Sequence, residues 1–235
     1  MKTLFSILMG LSGLILTAQS PLGAWQAKTQ DANLKEVTVI SIVSEGYQAI
    51  SWFGASKGEF IRTIGGAWQL EGAEWSLTLE FDSEQPEQVG ETLRFNLVPS
   101  ANGYRAEGMG LEFSQIDTNT PGALAGAWLM SARKQGEELV PRSTDQPRKT
   151  MKILSGTRFQ WIAYNTETKQ FMGTGGGCYT TIDGVYTEHI EFFSRDNSRV
   201  GAALAFDFEL KEDDWHHSGL SSRGDPIYEV WSLRR

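Results

Sequence analysis

Thr63-Ile64-Gly65-Gly66-Ala67-Trp68 is met again 111 positions later as Thr174-Gly175-Gly176-Gly177-Cys178-Tyr179. At that constant shift, residues 59–109 align with 170–220 without a gap, and 12 of the positions are identical. Leu79-Glu80-Phe81 meets Ile190-Glu191-Phe192, and Val89-Gly90 meets Val200-Gly201. A second anchor lies upstream, where Gly23-Ala24-Trp25 repeats as Gly126-Ala127-Trp128. A repeat of about a hundred residues is too long for a solenoid unit and has the usual size of a whole domain. The chain therefore reads as two copies of one domain.

Within a copy, turn residues separate short runs of period-2 alternation. Leu77-Thr78-Leu79-Glu80-Phe81 and Leu93-Arg94-Phe95-Asn96-Leu97 each place apolar side chains on one face only, the mark of a half-buried strand. No segment after the first twenty residues sustains a helical stripe. Strands are predicted near 22–28, 36–43, 47–53, 58–64, 66–71, 74–81, 91–98 and 103–116, the last able to hold two. Their order is a meander of hairpins, and closing such a sheet removes its edges. The predicted fold is all-β, two tandem antiparallel barrels over 21–117 and 124–235, joined by a turn-rich linker at 118–123. The second copy has a longer first loop, Gln135 to Lys149, read as a solvated segment or a lid over a barrel mouth.

Residues 1–20 read as an export signal. Lys2 precedes an apolar run from Leu4 to Leu16, followed by the small and polar Thr17-Ala18-Gln19-Ser20. The run is too short for a membrane span. The expected product is exported, to the periplasm or the medium, and is not an integral membrane protein. A net charge of −8 argues against nucleic acid or an anionic membrane surface as partner. Cys178 is the single cysteine, so an internal disulfide is excluded. Its expected state is a buried, inert thiol, with a metal ligand or an intermolecular link as the alternatives. No nucleophile elbow, metal-binding helix or phosphate loop is present, so neither cofactor, metal nor dedicated catalytic residue is predicted. His216-His217 beside Asp213-Asp214 lacks metal-ligand spacing.

The Gly-Xaa-Trp of the first strand, followed by about eight meandering strands, resembles the lipocalin and calycin barrels. The glycine-rich strand leading to Tyr186-Thr187-Glu188-His189-Ile190-Glu191-Phe192 is similar to lipocalin-like domains of uncharacterised exported bacterial proteins. The resemblance covers about 124–235, and reaches the first copy through the repeat. It implies a barrel with a cavity, and implies that Trp25 and Trp128 close one barrel end.

The two copies differ where they face inward. In the first, Trp68 and Leu70, then Trp75, Leu77, Leu79 and Phe81, then Leu93, Phe95 and Leu97 form the predicted interior, with Tyr104 and Ala106. The same shift turns Trp68 into Tyr179, Leu70 into Thr181, Trp75 into Tyr186, Leu77 into Glu188, Tyr104 into Trp215 and Ala106 into His217. The first barrel is predicted filled. The second is predicted to carry Tyr179, Thr181, Tyr186, Glu188 and His217 on an interior wall, with Trp161 lining the cavity. Polar groups converging in an apolar cavity are the usual form of a small-molecule site. The expected ligand has an apolar body and a polar head, cationic or hydroxylated, that meets Glu188. The alternatives are a cofactor-free isomerase or cyclase using Glu188 as acid or base, or an interaction module of the cell envelope.

Overall fold

A computed structural model of the chain describes residues 20–234 apart from 121, 222 and 223. The export signal predicted over 1–20 lies, but for Ser20, outside the described residues. Eight strands form the first barrel: β1 (Gly23–Gln30), β2 (Glu36–Ser44), β3 (Tyr47–Gly54), β4 (Phe60–Glu71), β5 (Glu74–Asp82), β6 (Thr92–Ser100), β7 (Gly103–Ala106) and β8 (Leu111–Asp117). Each strand pairs antiparallel with the next, and β1 pairs with β8 to close the cylinder. The second barrel repeats this with β9 (Gly126–Gln135), β11 (Arg148–Leu154), β12 (Arg158–Asn165), β13 (Gln170–Ile182), β14 (Val185–Phe193), β15 (Ala203–Lys211), β16 (Asp214–Leu220) and β17 (Pro226–Leu233), closed by β9 on β17. The fold is all-β, two closed eight-stranded barrels in tandem. No helix among the described residues is long and apolar enough to cross a membrane.

Three expectations need correction. The two strands predicted over 58–64 and 66–71 are one strand, β4. Gly65-Gly66 does not end it, because the chain takes a bulge there and continues. A Cβ on Gly66 would stand 2.0 Å from the Thr78 carbonyl oxygen, so the neighbouring backbone can approach only a glycine. Gly177, at the matching position, would meet the His189 carbonyl in the same way, beside the bulge between Gly176 and Gly177. The predicted loop of 135–149 carries a short strand, β10 (Glu138–Pro141), hydrogen-bonded to the outer end of β9. Leu70 faces the core side of its strand but lies beyond the core's end and is 38% exposed.

The barrels pack through equivalent outer faces. Ile40, Ile42, Ala49, Phe53 and Phe81 of the first meet Ala127, Leu129, Met151, Ile153, Ile162, Tyr164 and Phe192 of the second in one apolar cluster. Phe53 stacks on Phe192 at 4.9 Å, and Tyr164 packs on Phe81 at 5.0 Å. At the repeat's shift of 111 Phe53 is equivalent to Tyr164 and Phe81 to Phe192, so these are one contact made twice, as in a two-fold dimer interface. Thr63 and its equivalent Thr174 both accept a hydrogen bond from Gln160 Nε2, at 2.9 Å each. At one edge Arg234 forks onto Glu80 at 2.7 and 2.8 Å, and Tyr164 donates to the same carboxylate at 2.5 Å. At another, Asp117 at the end of β8 accepts from Ser155 Oγ, Gly156 N, Thr157 N and Thr157 Oγ1 of the second barrel.

Candidate functional site

The first barrel holds an apolar core of Trp25, Val39, Ile50, Trp75, Leu77, Leu79, Ala106, Leu111, Phe113 and their neighbours. Its interior polar contacts are few and satisfied: Gln48 donates to Ser41 Oγ at 2.9 Å and accepts from Trp75 Nε1 at 2.9 Å. Burial of this kind needs no further explanation.

The second barrel places a charge at its centre. Lys152 comes from β11, opposite Trp128, as Ser41 stands opposite Trp25 in the first. Its neighbours Met151 and Ile153 point outward into the inter-barrel cluster, so the strand's alternation turns the lysine inward. Lys152 Nζ donates to Glu188 Oε1 at 2.9 Å, and both side chains are only 6% exposed. Tyr186 donates its hydroxyl to the same oxygen at 3.0 Å. The ammonium also lies 4.7 Å from the ring centre of Trp215, 4.9 Å from Tyr186, 5.2 Å from Trp231 and 5.8 Å from Phe206. Aromatic faces attract a cation, the more so away from water. The result is a buried ion pair inside an aromatic cage.

A second pair lies beside it. His217 on β16 stands opposite Glu229 on β17, with Nδ1 3.5 Å from Oε2. That separation is long for a hydrogen bond, so the contact is a loose one, and Nε2 has no partner among the described residues. Burial, reinforced by the nearby Lys152 charge, lowers the His217 pKa against the raising effect of Glu229 and Glu188. Burial works against the Glu229 carboxylate, but His217, Lys152 and Arg133 outweigh it and hold the pKa below the ordinary value. Burial, then the charge of Glu188, raises the Tyr186 hydroxyl well above its ordinary pKa, so it remains a donor.

The predicted residues divide accordingly. Tyr186, Glu188 and His217 meet in one cluster. Tyr179 is buried beside it, 5.4 Å from Tyr186 ring to ring, but donates its hydroxyl to the Ser155 carbonyl at 2.6 Å and so braces the wall. Trp161 is half-buried against Phe193, among the side chains that flank the core. Thr181 stands opposite Tyr186 but is half-buried at the strand's end, and among the described residues no hydrogen bond joins it to the cluster. Trp128 and Trp25 are both buried in their barrel's core, each donating its indole N–H to a carbonyl four residues back. Cys178 is half-buried rather than buried, with its pKa raised by burial and by Glu191. His216 turns away from His217 and bonds the Tyr228 hydroxyl at 2.8 Å.

Sequence reasoning missed Lys152, Glu229 and the indoles of Trp215 and Trp231 as parts of the site. A cavity of about 590 Å³ lies elsewhere, in the groove between the barrels beside Leu22, Tyr47, Leu233 and Arg234. Its strongest polar group, Arg234, is already held by Glu80 and Tyr164. The interior cluster, which keeps buried groups unpaired, is the better candidate despite its close packing.

The class so defined is a tandem of closed antiparallel barrels, one with an apolar core and one with an ionic core. Residues 123–233, the second barrel, match a family described as a domain of unknown function (DUF4488). No curated protein matches the chain.

Proposed function

We propose that this chain is an exported small-molecule binding protein of the lipocalin-like kind, with its ligand head received by the ionic cluster of the second barrel. The observation that carries this reading is the contrast with the first barrel. There the same places hold Ser41, Leu77, Ala106 and Leu111, and the barrel closes on them. The fold thus has no need of Lys152, Glu188, His217 and Glu229. Removing such groups from water costs several kcal/mol per ion before their attraction offsets it. A ligand that borrows their hydrogen bonds supplies a reason for them.

Binding is favoured over catalysis because Glu188 is engaged by Lys152 and Tyr186 at hydrogen-bond distance. A carboxylate so held is a poor free base. The same contact revises the expected head group, since the cation that meets Glu188 is the protein's own. Half-buried Met130, Trp161, Phe193, Leu204, Phe208 and Ile227 flank the core and offer an apolar lining for the rest of the molecule.

The test compares native with denatured mass for the protein purified gently from its natural source. The expected result is a bound small molecule that is lost in a Lys152→Met/Glu188→Leu double variant. Equal native and denatured masses, or a ligand retained by the double variant, would overturn the assignment.

A further inference from the structure

Trp215 and Trp231 are the largest fully buried side chains of the chain, and both indole N–H groups lack an acceptor. Trp25, Trp68, Trp75 and Trp128 each donate theirs at 2.8–2.9 Å. The two orphans are neighbours, with ring centres 6.0 Å apart, and His217, whose Nδ1 is turned to Glu229 and whose Nε2 has no partner among the described residues, lies 5.3 Å from Trp215. Three polar rings side by side, each no more than 2% exposed, thus share two unmet indole donors and one unmet imidazole nitrogen. A buried donor left unmade is among the more expensive features of a folded chain.

We infer that these three rings receive the oxygen of a neutral alcohol or ketone head group. This rests on the binding function proposed above and specifies its ligand. An indole offers only a donor, and a neutral imidazole one donor and one acceptor. The unmet demand is therefore mostly for an acceptor. A hydroxyl answers it most fully, accepting from the indoles and donating to the imidazole; a carbonyl oxygen answers the donors alone. An ammonium head brings further donors to a place already rich in them, and Lys152 occupies the aromatic cage it would need. A carboxylate head brings a negative charge beside Glu188 and Glu229, whose attraction to Lys152 and Arg133 is already used.

The experiment follows the indole N–H resonances of the full mature chain while decan-1-ol, decan-2-one, decanoate and decylammonium are added in turn. Trp215→Phe and Trp231→Phe assign the two signals and keep the ring volume nearly intact. Decanol and decanone are expected to move those two signals downfield and leave the four bonded indoles in place. Each Phe variant is expected to weaken decanol binding about five- to tenfold, the loss of one neutral hydrogen bond. If decanoate or decylammonium binds in preference, or the Phe variants bind decanol unchanged, the head-group inference fails and the binding function stands. If the two indoles are already downfield without ligand and no probe moves them, a structural water fills the place and the inference fails. If no probe of any head group binds and native protein carries nothing, the binding function fails with it.

Discussion

Two barrels built on one sequence repeat pack against each other, and among the described residues only the second has an ion pair at its centre. At matched positions Ser41 corresponds to Lys152, Leu77 to Glu188, Ala106 to His217, and Leu111 to Glu229. Strand number, closure, glycine bulge and the buried tryptophan of the first strand are shared. The barrel is thus specified by its pattern of facing, its bulges and its turns, and tolerates either an apolar or an ionic interior. What separates the two is chemistry, not architecture, and the first barrel serves as an internal control for the second.

The sharpest way to break the comparison is to orphan one charge. Lys152→Met leaves Glu188 buried without its counter-ion, and the expected loss of stability is about 3–5 kcal/mol in urea unfolding at neutral pH. The Lys152→Met/Glu188→Leu double variant is expected to recover most of that loss, since it approaches the first barrel's solution. A double variant no more stable than the single one would show that the ionic core is structural after all. Next in size is the interface. Phe81 and Phe192 are equivalent and make equivalent contacts, so Phe81→Ala and Phe192→Ala are each expected to cost about 3 kcal/mol. Losses that differ by more than about 1 kcal/mol would deny the two-fold character of the interface.

The barrels themselves were legible because alternation, glycine spacing and the repeat agree over most of the chain. Glu188, Tyr186 and His217 were legible because the first copy supplies the facing of each. Lys152 was not, because the aligned stretch began at residue 59 and its equivalent, Ser41, lies before it. The signal was there in a lone charge within Met151-Lys152-Ile153-Leu154, a run apolar on both faces. Glu229 was hidden differently. The last hairpin of the second copy is longer, so its equivalent Leu111 is 118 positions away (229 − 111) rather than 111, and a fixed shift misplaces it. Thr181 was overcredited because a facing says nothing of depth, and its equivalent Leu70 is itself at the exposed end. The partners of the indoles cannot be read from any pattern, since they depend on side-chain packing.

A smaller effect is expected at the joint between the barrels. Burial alone would raise the pKa of Asp117, but the hydrogen bonds it accepts from Thr157, Ser155, Asn119 and Gly156 more than offset this and leave it lowered. A carboxyl depressed in the folded state stabilises it above the unfolded pKa, near 3.9, and that stability is lost as pH falls through the folded value. Asp117→Ala is expected to lose about 2 kcal/mol at pH 7 and to flatten the stability profile below about pH 4. An unchanged acid limb would remove Asp117 from the joint.

The finest test uses His217, whose equivalent is Ala106. The ring faces Lys152, Glu188 and Glu229, and burial is the main reason its pKa is lowered. A base with a depressed folded pKa is protonated first in the unfolded chain. Its contribution is intact above the unfolded value, near 6.5, and is lost as pH falls from there to the folded value. Stability of the wild type is therefore expected to decline on acidification from pH 7 to 5, by no more than about 1.4 kcal/mol per pH unit from this group. His217→Ala, which gives the second barrel the first barrel's residue, is expected to level that limb between pH 7 and 5 while leaving the Asp117 limb below it. If the slope persists in the variant, the imidazole is not the titrating group, and the ion pair beside it has to be examined in its place.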